Sequence, residues 1–232
     1  MITRLILVRH AEAEGNLNRV FHGWTDSNIT EKGRLQAQRA AERLKDEKID
    51  VIYSSSLKRT LQTAEYIARV KMLPIIRTDK LKEINGGDWE CKGWDELACI
   101  WPHEHDTWEN KPHLHQMPNG ESMEEFQKRL SGEIEYIISN NKGKNICIVT
   151  HGTAIKALMC YFRGYELSEM LNIMWYDNTS ITIIEWNDEK YNVVLEGDNS
   201  HLTGDLSTVY NQEWYVQYLK DFEKRKNEKT NS

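Results

Sequence analysis

Two histidines and two arginines stand where a sheet would gather them at one edge. Arg9-His10 follows the apolar run Leu5-Ile6-Leu7-Val8. Ser54-Ser55-Ser56 follows Asp50-Val51-Ile52-Tyr53, with Arg59 a few residues on. Thr150-His151-Gly152 follows Ile146-Cys147-Ile148-Val149. Ligands of open α/β sheets bind just beyond the carboxyl ends of the strands. Four such groups have no use in an apolar core, and together they suit a pocket for a compact dianion. Arginine offers planar, permanently charged forks that match phosphate oxygens. A neutral histidine can attack phosphorus, provided one ring nitrogen is tied down and the other is exposed. A second histidine can donate a hydrogen bond to the phosphoryl oxygens. Taken singly, an Arg-His or a Thr-His-Gly reads more often as a surface histidine; the weight lies in their repetition at matching strand ends.

The elements that must position these groups follow from periodicity. Leu5–Val8 is a short, continuous apolar run and reads as a buried strand. Thr30 reads as an N-cap with Glu31 in the first turn, opening a helix to about Asp46 with Leu35, Ala37, Ala40, Ala41 and Leu44 at helical spacing. A strand over Asp50–Tyr53, a helix from about Leu57 to Val70 and a strand at Ile75-Ile76 complete a β-α-β-α-β order, which predicts a mostly parallel sheet. The pattern resumes with a helix over Ser122–Ser139, a strand over Ile146–Val149, a helix over Thr153–Phe162, and two last strands, Thr179–Trp186 and Tyr191–Glu196, turned at Asn187-Asp188. The expectation is an α/β/α sandwich with a mostly parallel central sheet.

Between these halves, Asn85–Gly120 has no clear period and holds four Gly, three of the four Pro, four of the eight Trp and four His. Such a segment inside a compact domain reads as a lid over a site. The expected organisation is one domain over 1–202, with the lid at about 85–120, and an extension over 203–232. In that extension Trp214, Tyr215, Tyr218 and Phe222 form one helical stripe, and the last ten residues read as disordered.

With 232 residues and a net charge of −6, the chain suits one substantial acidic domain. A nucleic-acid binder with a basic face is disfavoured, and no apolar run approaches the ~20 residues of a membrane span. The N-terminus shows no secretory signal, so a cytoplasmic location is expected. The cysteines Cys91, Cys99, Cys147 and Cys160 form no CxxC pair and read as incidental thiols. His103, His105, His113, His115, Cys91 and Cys99 match no familiar zinc spacing, so no metal is expected.

Leu7-Val8-Arg9-His10-Ala11-Glu12-Ala13-Glu14-Gly15-Asn16 resembles the signature of the histidine phosphatase superfamily, which includes the cofactor-dependent phosphoglycerate mutases. The similarity continues through Phe21–Asp26, Asn28–Gly33, Gln36-Ala37, Ser54–Ala64, Leu81–Glu90 and Val149–Gly152, in the family's order over roughly residues 3–201. Pro112–His115, Asn119–Ser122 and Glu196–His201 resemble its broad-specificity bacterial phosphatase branch. The resemblance implies the phosphoglycerate mutase-like fold and two-step phosphoryl transfer. His10 would be the nucleophile, and Arg9, Arg59 and His151 would hold the phosphoryl group. Asn16 matches a position contacting that group, and Glu83 the proton donor to the leaving oxygen. His22, Gly23 and Gly152 complete the expected substrate contacts. Neither a cofactor nor a metal is implied, since Arg and His supply the positive charge.

The chain departs from the pattern at Ala11 and Ala13, where the family usually has Gly and a hydroxyl residue. Ala11 demands an ordinary φ or some strain, and Ala13 removes a hydroxyl near the phosphate. His22 has two readings, at the pocket rim or on the loop. The Trp cluster (Trp89, Trp94, Trp101, Trp108) reads as lid core before stacking platform. The stretch Cys99–Lys111 is aromatic and acidic and has no Arg. It favours apolar leaving groups and release of phosphate to water over a mutase's retained phosphate. The expected function is a phosphomonoesterase acting on small phosphorylated metabolites, as monomer or homodimer, without nucleic acid or membrane. The alternatives are a cofactor-dependent phosphoglycerate mutase and, from another class, an inactive phosphatase-like binding module.

Overall fold

The computed structural model describes residues 1–230. Six strands form one sheet: β1 (Thr3–Arg9), β2 (Val51–Ser55), β3 (Ile75–Thr78), β4 (Asn145–Thr150), β5 (Ile181–Trp186) and β6 (Tyr191–Asp198), in the order β3-β2-β4-β1-β5-β6. The first four run parallel, and β5 and β6 close one side antiparallel. β1 lies between β4 and β5 and buries Leu5–Val8 completely. Coverage of both faces explains why this run is apolar at every position rather than alternating.

Register sets the site. Arg9 pairs with Thr150 across β1 and β4, so His10 and His151 each stand one residue past a shared edge. Ser54 pairs with Val149, which carries Ser55 to the same edge.

The helices are α1 (Glu14–Leu17), α2 (Glu31–Arg43), α3 (Lys58–Lys71), α4 (Trp94–Ile100), α5 (Pro102–Asn110), α6 (Met123–Ser139), α7 (Gly152–Arg163) and α8 (Glu213–Thr230). Thr30 caps α2 by accepting from the Gly33 N–H. Ser122 and Glu125 form a reciprocal capping box at α6. One expected core residue is misplaced: Leu35 is 54% exposed, whereas Gln36 is fully buried. Gln36 accepts from the Glu12 N–H and donates to the Leu206 carbonyl and the Thr208 hydroxyl. A buried polar side chain with every group bonded thus occupies the inner face that the apolar pattern assigns to leucine.

The segment 85–120 is more regular than its lack of period suggests. It contains α4, α5 and two 3₁₀ turns, Gly87–Trp89 and Pro112–Leu114. α4 and α5 are too short to show a 3.6-residue stripe, and Pro102 at the first turn of α5 divides them. Trp89 is fully buried, and its ring meets Phe21, Trp108 and His115. At the C-terminus α8 runs to Thr230, so helix covers most of the stretch expected to lack order; residues 231 and 232 lie outside the described residues. Among the described residues no helix is long and apolar enough to cross a membrane, and all four cysteines are free.

Candidate active site

His10 lies at the carboxyl end of β1, 3% exposed. Its backbone is clamped from three sides: its N–H donates to the Thr150 carbonyl, and its carbonyl accepts from the Thr179 N–H and the Asn178 amide. The ring is fixed as well, because Nδ1 donates to the Ala11 carbonyl at 2.7 Å. That bond selects the tautomer with a free lone pair on Nε2. Burial, then the charges of Arg59 and Arg9, holds the His10 imidazole well below its usual range, so it is neutral near pH 7.

Ala11 is fully buried and is absent from the non-glycine residues with positive φ, so the chain passes it without left-handed strain. Its N–H donates to the Thr63 hydroxyl at 2.9 Å. Ala13 stands at the N-cap of α1 with no capping side chain. The Ala13 N–H instead donates to Asn16 Oδ1 at 3.0 Å, which leaves the Asn16 amide N–H groups for the cavity.

Four cationic or histidine groups surround the His10 ring: Arg9, Arg59, His151 and His22. Arg9 donates to the Tyr176 carbonyl at 2.5 Å and lies 5.3 Å from the centroid of Trp175. Arg59, fully buried on the first turn of α3, donates to the carbonyls of Thr25, His22 and Gly23 at 2.7–3.0 Å. Among the described residues the Nε–H groups of both arginines are buried without a partner. His151, also fully buried, stands 5.3 Å from His10 between ring centroids and shares a 2.9 Å hydrogen bond with the Ser55 hydroxyl through Nε2. Its Nδ1 has no partner. Orphaned donors this deep are costly unless a ligand meets them, and an oxyanion satisfies several at once.

His22 reaches the pocket, the first of its two readings. Its ring meets His10 edge-on at 5.8 Å and lies over Gly15, where a Cβ would fall 2.4 Å from the His22 ring. Gly15 is therefore the glycine that admits this histidine. Gly23 does not line the cavity; its carbonyl holds Arg59, and a Cβ there would meet the Ile84 carbonyl at 2.1 Å. Gly152, the first residue of α7, does line it, under Arg9 and Trp175.

Glu83 faces the same cavity and is 8% exposed. Its carboxylate accepts from the Ile84 and Thr153 N–H groups, each at 3.0 Å. Burial outweighs these bonds and raises its pKa above the usual 4.5. A carboxyl that resists ionisation beside a neutral imidazole is the acid–base pairing that transfer to and from an oxygen needs.

The cavity measures about 560 Å³. Arg9, His10, Asn16, His22, Glu83 and Gly152 line it, while Arg59 and His151 stand behind that wall. Its outer part comes from Trp94 and Trp108 of the lid, from Trp175, and from Tyr218 and Arg225 of α8. The reading of the tryptophans as lid core is thus incomplete, because Trp94 and Trp108 serve both core and cavity. Lys156, Trp175 and Arg225 carry no motif in the sequence and became visible only here. Among the described residues no group of three or more His, Cys, Asp or Glu could hold a metal ion. His115 is buried against Met117 with its pKa pushed down to about 4 by burial.

Comparison with known proteins agrees with this geometry. The family model of the histidine phosphatase superfamily, branch 1, matches residues 5–199. Phosphoserine phosphatase 1 of Hydrogenobacter thermophilus is 34% identical over 84% of this chain and 92% of its own length. A 2,3-bisphosphoglycerate-dependent phosphoglycerate mutase of Bartonella tribocorum is 31% identical over 72% of this chain and 85% of its own. Among solved structures, Bacillus stearothermophilus YhfR superposes with a TM-score of 0.83 at 37% identity, covering 86% of this chain and 98% of that one. The chain belongs to the histidine phosphatase superfamily. Its fold is the phosphoglycerate mutase-like α/β sandwich, and its class of activity is phosphate monoester hydrolysis.

Proposed function

We propose that the protein hydrolyses small phosphorylated metabolites through a phosphohistidine on His10. The observation that carries this reading is the His10 ring: Nδ1 bonded to its neighbour's carbonyl, Nε2 unbonded, and arginine on two sides. In the first step Nε2 attacks phosphorus and the bond to the leaving oxygen breaks, while Glu83 gives that oxygen its proton. In the second step Glu83, now a carboxylate, takes a proton from water; the water oxygen bonds phosphorus and the N–P bond breaks, releasing phosphate. Arg9, Arg59 and His151 balance charge on the phosphoryl oxygens, with Asn16, His22 and the N-terminus of α7 at Gly152 as further donors. Arg9 and Arg59 supply the positive charge that a metal would otherwise bring, and the histidines add hydrogen bonds, so the reaction needs none.

Several features support hydrolysis over isomerisation. The lid contributes aromatic rings and one carboxylate, Glu109, to the cavity and no arginine, and a phosphoserine phosphatase stands among the relatives. O-Phosphoserine therefore belongs in the substrate panel. The acidic surface fits a small-molecule substrate in the cytoplasm rather than nucleic acid or an anionic membrane, with the chain acting as monomer or homodimer.

The test is a phosphoenzyme trap. With an aryl phosphate and rapid quench, the wild type is expected to yield one acid-labile phosphohistidine at His10 and continuous phosphate release unaffected by chelators. His10→Ala is expected to lose both, with turnover reduced on the order of 10³-fold or more. Full turnover by His10→Ala overturns the mechanism. Isomerisation of 3-phosphoglycerate in the presence of 2,3-bisphosphoglycerate, faster than hydrolysis, replaces it with the mutase reading.

A further inference from the structure

The outer half of the cavity holds a cation that the phosphoryl chemistry does not use. Lys156 lies in the second turn of α7, 7% exposed and lining the cavity. Its ammonium stands 5.4 Å from the centroid of Trp175 and 5.8 Å from that of Tyr218. Among the described residues its ammonium makes no hydrogen bond and no salt bridge; it meets these two ring faces and feels the opposite charge of Glu109 across the cavity. A buried ammonium with no hydrogen-bonded acceptor leaves its strongest interaction unmade.

The cage is built rather than incidental. The Trp175 N–H donates to the Tyr218 hydroxyl at 2.8 Å, and the Tyr215 hydroxyl donates to the Trp175 carbonyl at 3.1 Å. Both backbone groups of Trp175 are thus tied to α8. Arg225, two helical turns beyond Tyr218, lines the same wall, and its Nε–H is buried without a partner among the described residues. The Lys156 pKa is pushed down to about 8, by burial first and then by Arg225. The ring of Trp175 also carries Arg9 at 5.3 Å, so the phosphoryl cation and Lys156 share one indole.

We propose that Lys156, caged by Trp175 and Tyr218 and joined by Arg225, recognises a carboxylate on the leaving group of the substrate. Two observations favour a carboxylate over a second phosphate. Glu109 and Asp221 line the same cavity as Lys156 and Arg225 and temper their charge, which disfavours a second dianion. Lys156 is a single point charge, whereas the inner end offers the guanidinium forks that suit phosphoryl oxygens. The proposal rests on hydrolysis at His10 and adds which small phosphomonoesters are selected.

The experiment compares kcat/KM on two carboxylate-bearing phosphomonoesters, O-phosphoserine and 3-phosphoglycerate, with kcat/KM on glycerol phosphate. The wild type is expected to prefer the carboxylates. Lys156→Met, of similar length and shape, is expected to reduce the ratio about tenfold, mainly through KM. Lys156→Arg is expected to restore part of it, and Arg225→Gln on the outer helix to reduce it less. Inorganic phosphate, as competitive inhibitor, reports the inner end separately. An unchanged ratio in both Lys156→Met and Arg225→Gln overturns the proposal. So does a larger loss on a bisphosphorylated compound than on either carboxylate. Absence of hydrolysis by the wild type on every substrate, with no phosphohistidine formed, overturns the underlying phosphatase reading instead.

Discussion

The two ends of the cavity are held in opposite ways. At the inner end, Arg9, His10, Arg59 and His151 are almost wholly buried, and most of their bonds run to backbone carbonyls at strand ends and the loops beside them. At the outer end, Trp94, Trp108, Trp175, Tyr218 and Arg225 come from lid, loop and C-terminal helix, are partly exposed, and meet chiefly through ring contacts. Backbone-anchored groups lose little freedom when substrate arrives and are therefore suited to stabilising developing charge. Aromatic walls on excursions from the sheet tolerate exchange and set which leaving groups fit. On the proposed mechanism, the reaction and the choice of substrate fall on different elements, the first on strand ends and the second on lid, loop and C-terminal helix.

Variants at the two ends should accordingly differ in kind. Glu83→Gln is expected to lower kcat by about 10²–10⁴-fold on poor leaving groups, and far less on nitrophenyl phosphate, which needs little protonation. The pH profile checks the same residue. Burial raises the Glu83 pKa, so its acid form persists above the usual 4.5 and rate falls as pH rises through the shifted value. The depressed His10 pKa keeps the nucleophile neutral well below 6.5, so the acid limb lies low. Glu83→Gln should remove the alkaline limb and leave the acid one; a profile unchanged in shape would assign that limb to another group.

Arg59→Met removes a donor from the inner end and should reduce kcat about 10²–10³-fold on all substrates alike. At the outer end, Trp108→Ala should act chiefly on KM, by about two- to tenfold, and unequally across leaving groups. A uniform loss in kcat from Trp108→Ala would abolish the distinction between the two ends. Gly15→Ala probes the seam between them. Its methyl would fall on the His22 ring, so the ring must move, at a cost of about 1–3 kcal/mol visible in denaturant unfolding.

The inner end was legible because its residues follow recognisable strands at once. Arg9-His10 and His151-Gly152 each end an apolar run, and β1–β4 register makes neighbours of them without further information. Glu83, Asn16 and His22 were reached through resemblance, and all three line the cavity. Apolar type points to Leu35 on the inner face of α2, whereas hydrogen bonding satisfies Gln36 there instead. The lid helices escaped notice because seven and nine residues are too few to show a period.

What the sequence alone determined is therefore the sheet, its order of elements and the chemistry at its edge, since burial patterns are local and strand ends converge by topology. Tertiary structure alone decided the outer wall. A lysine four residues after Gly152 reads as an ordinary solvent-facing side chain, and nothing near it in sequence announces Trp175 or Tyr218. Only when α8 docks on the loop carrying Trp175 does that lysine become a caged charge on the cavity wall. Contacts between segments that distant depend on which surfaces remain uncovered once the core has formed, and local patterning carries no record of that.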